Sequence, residues 1–127
     1  MNYGYIRILN NVMDREMVVQ THVYYLQKSG AEKIYIETDG SQLENLLDIL
    51  EPNDSLHVFS IGRLTRNTDR WLSLVKIFTE KNIRLYASGE LVSMDPINLS
   101  IIENFMQEEE QTRKSCLKMI IHNRKKT

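Results

Sequence analysis

Two hydrophobic periods take turns along this chain. Tyr3 to Leu9 is a short, mostly apolar run of strand length. From about Met13 to Ser29 the spacing becomes helical, with Val19, Val23 and Leu26 on one stripe. Gly30 ends that helix, because glycine readily takes the left-handed conformation at a helix terminus. Lys33 to Glu37 reads as a second strand. After Gly40, the run Ser41-Gln42-Leu43-Glu44 has the form of a capping box opening a second helix. Leu43, Leu46, Leu47 and Leu50 face inward, and Pro52 marks the exit. A third strand, Leu56 to Ser60, leads into the loop Ile61-Gly62-Arg63-Leu64-Thr65-Arg66. A third helix from about Thr68 to Lys81 buries Trp71, Val75 and Phe78, and Ile83 to Ala87 is the fourth strand.

The alternation of strand and helix predicts an α/β fold: a mostly parallel sheet of four to five strands flanked by helices. A turn at Met94-Asp95-Pro96 precedes one long final helix, from about Leu99 to His122. Its first turns carry Ile101, Ile102, Phe105 and Met106, whereas its middle, QEEEQTRK, is polar nearly all round. Such a helix cannot lie wholly on its own core. It is predicted to project and to pack against another chain, with those four apolar residues as the oligomer interface. Residues 1–127 read as one unit: a core of 1–97, then the long helix and a basic tail over 98–127, without repeats or low-complexity segments.

Composition narrows the class. With 127 residues, 42% hydrophobic and 26% charged, the chain suffices for one domain with a real core. No apolar run is long enough to cross a bilayer, and the N-terminus lacks a signal peptide's layout, so no membrane association and a cytoplasmic location are expected. The single cysteine, Cys116, has no intrachain partner and reads as a small apolar packer. His22, His57 and His122 are scattered, so neither a metal nor another cofactor is expected. The net charge of −1 conceals a polarity. All 17 acidic residues lie before residue 113 with ten of the sixteen basic ones; the remaining six, Arg113, Lys114, Lys118, Arg124, Lys125 and Lys126, fall in the last fifteen positions. Such a tail suits either phosphate contacts or a solvated helix end whose cations complement the helix dipole.

Three segments, in order, resemble the catalytic domain of the serine recombinases of the resolvase/invertase family. Tyr5-Ile6-Arg7-Ile8-Leu9, after Gly4, stands where that family has Tyr-x-Arg-Val-Ser. Ile61 to Arg66 stands where it has Leu-Asp-Arg-Leu-Gly-Arg, and Gly30 to Glu37 is similar to its second strand. The long helix falls where the family has its dimerisation helix. The resemblance implies a resolvase-like fold and an oligomer built through that helix. It also implies an active site in which a serine hydroxyl attacks a DNA phosphodiester while arginines hold the developing phosphate charge. Arg7, Arg63 and Arg66 match three family arginines, whose planar forks suit phosphate oxygens.

The departures are chemical. Leu9 occupies the serine position, and a hydrocarbon has no lone pair with which to attack. Gly62 replaces the loop acid, Thr65 a loop glycine, and Glu110-Gln111 keeps the acid but loses the cation of the family's Glu-Arg. Ser60 is the nearest alternative hydroxyl, but no base is evident beside it, and a turn hydrogen bond is the reading it favours. No helix-turn-helix is read within residues 1–127.

The expected function is therefore that of a catalytically inactive recombinase-like domain of mobile-element type. It would act through oligomerisation, as a homodimer or as a hetero-oligomer with a related recombinase. DNA would be touched through phosphates by Arg7, Arg63, Arg66, Arg124, Lys125 and Lys126. Two alternatives stay open: an active strand-exchange enzyme with a displaced nucleophile, and a phosphate-contacting nucleic-acid-binding module.

Overall fold

The computed structural model describes residues 1–8 and 14–126, with side chains as far as residue 115. Five strands form one sheet in the order β2-β1-β3-β4-β5. They are β1 (Asn2–Ile6), β2 (Lys33–Ile36), β3 (Ser55–Val58), β4 (Arg84–Ala87) and β5 (Glu90–Leu91). The first four run parallel, with Tyr5 paired to Tyr35 and Val58, and His57 to Tyr86. A two-residue turn sends β5 back antiparallel, placing Leu91 beside Tyr86. The helices are α1 (Arg15–Lys28), α2 (Gln42–Ile49), α3 (Ile61–Leu64), α4 (Thr68–Lys81) and α5 (Pro96–Lys126).

Strand alternation sorts the side chains into two cores. Tyr3, Tyr5, Leu56, Val58 and Leu85 point to one face and pack with α2, with Trp71, Leu74 and Phe78 of α4, and with Met106 of α5. On the other face Ile6, Ile8 and Ala31 pack with Leu26 of α1. Gly4 sets how closely α1 approaches: a Cβ there would stand 3.0 Å from Ile34 Cγ1 and 3.2 Å from both Ala31 Cβ and Leu26 Cδ1. Helices α2, α3, α4 and α5 thus share one face while α1 packs on the other.

Several elements differ from the sequence expectation, each for a local reason. The α2 cap is not a capping box: Ser41 makes no side-chain cap bond, and its hydroxyl donates to Asp39 instead. Glu37, just after β2, accepts from Leu43 N (3.1 Å) and more distantly from Gln42 N (3.4 Å), so a residue upstream of Ser41 caps the helix. Ile61 to Leu64 is a helical turn rather than loop, capped by the Ser60 hydroxyl, which accepts from Arg63 N. The long helix begins three residues early because Asp95 accepts from Ile97 N at 2.8 Å and Pro96 supplies the fixed φ of a first helical turn. On α4 the fully buried residue between Trp71 and Phe78 is Leu74, with Val75 only partly buried.

Two imidazoles, His22 of α1 and His57 of β3, are buried on the α1 side of the sheet. His22 stacks on Phe59 (4.2 Å between centroids) and His57 on Tyr86 (4.7 Å), each 4% exposed. Burial pushes both below the usual histidine value of 6.5, with the charge of Arg63 adding to the effect at His22. The unfolded chain therefore binds protons that the folded chain refuses. Stability should be complete above pH 6.5 and fall as the pH drops below it. Thermal melts of the wild type between about pH 5 and pH 7.5 should show this decline, and His22→Phe with His57→Phe should flatten it. An unchanged slope in the double variant would assign the decline to other groups.

Candidate functional site

The chain leaves β1 towards β2 on one side and crosses back to β3 on the other. The C-terminal ends of β1 and β3 therefore border the crevice at which open α/β sheets hold ligands. Arg7 follows β1 directly, and the segment from Phe59 to Arg66 follows β3, so topology gathers the three arginines at one end of the sheet.

Their detailed roles differ. Arg7 donates from Nη2 to the carbonyl of Gly62 (2.8 Å) and from Nε to that of Arg63 (3.2 Å). It closes the C-terminus of α3, where orphan carbonyls attract a cation. Burial, and then the like charges of Arg66 and Arg63, hold its guanidinium below its ordinary pKa against the opposing pull of Tyr5. Arg63 is half-buried, and its Nη1 is fully buried without a hydrogen-bond partner among the described residues. Arg66 is exposed, and its carbonyl accepts from Arg113 Nη2 at 3.3 Å. Among the described residues no carboxylate lies within 4.0 Å of any of the three guanidinium groups.

A groove of about 940 Å³ runs between α3 and α5, with Arg63, Arg66 and Arg113 along it and the exposed side chains of Ile101 and Phe105 at its wall. Arg7 lines a second cleft of about 200 Å³ with Tyr5, Glu37 and Arg70. The trio is thus shared between two clefts. Arg70, paired with Glu44, stands beside Arg7 although no sequence motif marked it.

Among the described residues, neither Ser60 nor Tyr5 is an activated hydroxyl beside the arginines. Ser60 Oγ accepts from the backbone of its own turn, the structural role open to it from the sequence. The hydroxyl bonded to a carboxylate beside Arg7 is that of Tyr5, which donates to Glu37 Oε2 at 3.0 Å. Burial and that bond push the phenol well above its ordinary pKa, so it holds its proton. Gly62, at the acid position, leaves room: a Cβ there would meet only Ser60 Oγ, at 3.9 Å. Thr65 sits in extended backbone (φ −161°), a conformation any residue adopts, so replacing a glycine there does not distort the turn. Among the described residues no cluster of side chains has the makeup of a metal site.

The acid of the long helix has a use the sequence did not disclose. Glu110 accepts from Thr68 N (2.6 Å) and Thr68 Oγ1 (2.8 Å), clasping α5 to the N-terminus of α4, and these bonds hold its carboxyl below the usual range. Of the four expected interface residues, Ile101 (62% exposed) and Phe105 (60%) stand free. Ile102 is partly buried, and Met106 (5%) belongs to the domain's own core. Leu9 and the side chains of Cys116, Arg124, Lys125 and Lys126 lie outside the described residues.

The chain is thus a mostly parallel five-stranded sheet with arginines at its β1/β3 crevice and a long trailing helix. Residues 3–127 match the profile described as Resolvase, N terminal domain, and the chain belongs to that family. It is 25% identical over 85 residues to the Transposon Tn917 resolvase of Enterococcus faecalis, an alignment covering 65% of this chain and 46% of that protein. The alignment thus spans about half the length of this curated relative. The fold is shared with a resolvase family site-specific recombinase from Streptococcus pneumoniae, with a TM-score of 0.66 over 96% of each chain at 16% identity. Among the described residues no helix is long and apolar enough to cross a membrane.

Proposed function

We propose that this chain takes part in site-specific DNA recombination without cutting DNA itself, by joining an oligomer of its own copies or of a related recombinase. The observation that carries this reading is Leu9, a hydrocarbon at the position where the resemblance calls for the attacking serine. The surroundings agree. Gly62 supplies no acid, Ser60 is spent on its turn, Tyr5 keeps its proton, and Arg7 is committed to the α3 carbonyls. Ile101 and Phe105 are the residues on α5 for a partner chain to cover. The unpartnered Nη1 of Arg63 and the groove beside it favour phosphate contact as a companion property.

The test is incubation with supercoiled DNA carrying the native flanking sites, followed by denaturing electrophoresis. No covalent protein–DNA adduct should form with the wild type. Leu9→Ser should also fail, because the acid at position 62 is still missing; Leu9→Ser with Gly62→Asp is the variant with a route to cleavage. An adduct with the wild type would overturn the reading.

A further inference from the structure

Arg63 keeps one of its nitrogens in the interior. The residue lines the groove between α3 and α5, yet its Nη1 is fully buried and makes no hydrogen bond among the described residues. A buried donor without an acceptor is costly, the more so when it carries charge. His22 is in the same position: its side chain is 4% exposed, and its Nδ1 is buried without a partner among the described residues. The two are linked through Phe59. The His22 ring stacks on Phe59 at 4.2 Å, and the next residue, Ser60, caps the turn of α3 that carries Arg63. The charge of Arg63 reaches the imidazole and adds to burial in keeping it neutral.

Among the described residues Arg63 is the one charge that acts on this imidazole. From β1, α1 meets the apolar Ile6 and Ile8 through Val18, Val19 and Val23, and Arg7 beyond them is turned to the α3 carbonyls. The charged residues of α1 itself, Arg15, Glu16 and Lys28, are exposed, as is its cap Asp14. Residues 9–13 contain no titratable group. His57, on the same side of the sheet, is held neutral by burial with no charge contributing. The carboxylates that line the groove, Glu108 and Glu109, come from α5; Glu109 reaches Arg113 at 4.0 Å, and neither lies that close to Arg63.

We propose that His22 and Arg63 together form a proton-linked phosphate site, in which a DNA phosphate held by Arg63 in the groove draws a proton from solvent onto His22. The site rests on the phosphate contact proposed above for Arg63 and adds to it a second residue, from α1. Empty, it holds one cation and a neutral ring, because two neighbouring buried cations repel. An anion on Arg63 cancels that repulsion and attracts the imidazolium. Linkage is reciprocal: the anion favours the proton, so the proton favours the anion by the same factor. The sign follows directly. Affinity is lowest at a pH where His22 is neutral whether or not the site is filled. It rises as the pH falls through the range in which the occupied site takes up its proton.

Histidine-ring NMR of the wild-type chain tests it. The His22 signal, assigned with His22→Gln, is titrated between about pH 5 and pH 7.5 in a DNA duplex, in sodium sulfate, and in sodium chloride of equal ionic strength. The His22 midpoint should move up with the duplex relative to chloride, while that of His57 stays where it is. A rise with sulfate as well extends the site to free oxyanions; a rise with sulfate alone would overturn the assignment to DNA. Arg63→Gln should abolish the upward movement and, by removing the repelling charge, lift the His22 midpoint of the free chain. Duplex affinity by fluorescence anisotropy should rise about fivefold or more from pH 7.5 to pH 5 in the wild type. Equal pH dependence in His22→Gln would overturn the linkage. The backbone amide of Arg63 separates this outcome from the parent reading. A duplex that shifts that amide and leaves His22 unmoved refutes the proton linkage while phosphate contact stands; one that shifts neither removes both.

Discussion

Trp71→Ala should leave the domain largely unfolded at ambient temperature or close to it. The indole is completely buried at the centre of the larger core, among Leu74, Phe78, Leu46 and Leu56. Truncating a buried tryptophan to alanine costs about 3–5 kcal/mol, because lost transfer energy and an unfilled cavity add. A domain of this kind is stable by only about 5–15 kcal/mol. Trp71→Phe should be far milder. The indole Nε1 is buried without a partner among the described residues, so no hydrogen bond is lost and an unsatisfied donor is removed. Urea titrations followed by circular dichroism measure both. Equal midpoints for the two variants would mean that cavity volume does not dominate at this position.

Ile101→Glu combined with Phe105→Glu should reduce self-association by two orders of magnitude or more while leaving the isolated fold as stable as before. Covering each such side chain contributes about 1.5–3 kcal/mol, a two-fold interface counts each residue twice, and about 1.4 kcal/mol is a factor of ten. The fold is indifferent because both side chains are already exposed, at 62% and 60%. Met106→Glu is the contrasting variant. It buries a charge in the domain's own core, so it should lower the melting temperature rather than change the sedimentation coefficient alone. Sedimentation velocity across a concentration series separates the outcomes, and a profile unaltered by the double replacement would remove this face from any interface.

The contribution of Glu110 follows from its bonds to Thr68. Its carboxyl titrates below the ordinary value, so the clasp between α5 and α4 is complete above the unfolded-state pKa and is lost as the pH falls through the depressed one. Acid should therefore loosen the long helix from the domain.

Local pattern carried most of the strands and helices. The strand alternation of Tyr3, Tyr5 and Ile6 and the helical spacing of Leu43, Leu46 and Leu47 are enforced by burial on one face, and burial leaves its trace in residue type. Errors gathered where a polar side chain outside the hydrophobic pattern supplied the decisive bond. Glu37 took the cap that Ser41 appeared to hold from sequence, and Ser60 turned an expected loop into α3. The Asp95-Pro96 pair was a readable signal for the start of α5 that the hydrophobic spacing alone passed over. Arg70 was invisible as a site residue, and Glu110 was noted only as an acid without its clasp on Thr68, because each acts through a partner at least 26 positions away.

By itself the sequence determined the α/β order, the arginines at 7, 63 and 66, and the hydrocarbon at position 9, since each is a matter of residue type and spacing. Tertiary structure alone decided that His22 and His57 are buried on the side of the sheet that carries α1. It also decided how the arginines divide between two clefts, and that Met106 turns inward while Phe105 stays out. The last two outcomes depend on the direction in which α5 leaves the sheet. That direction is set by packing between segments far apart in the chain, which no local window contains.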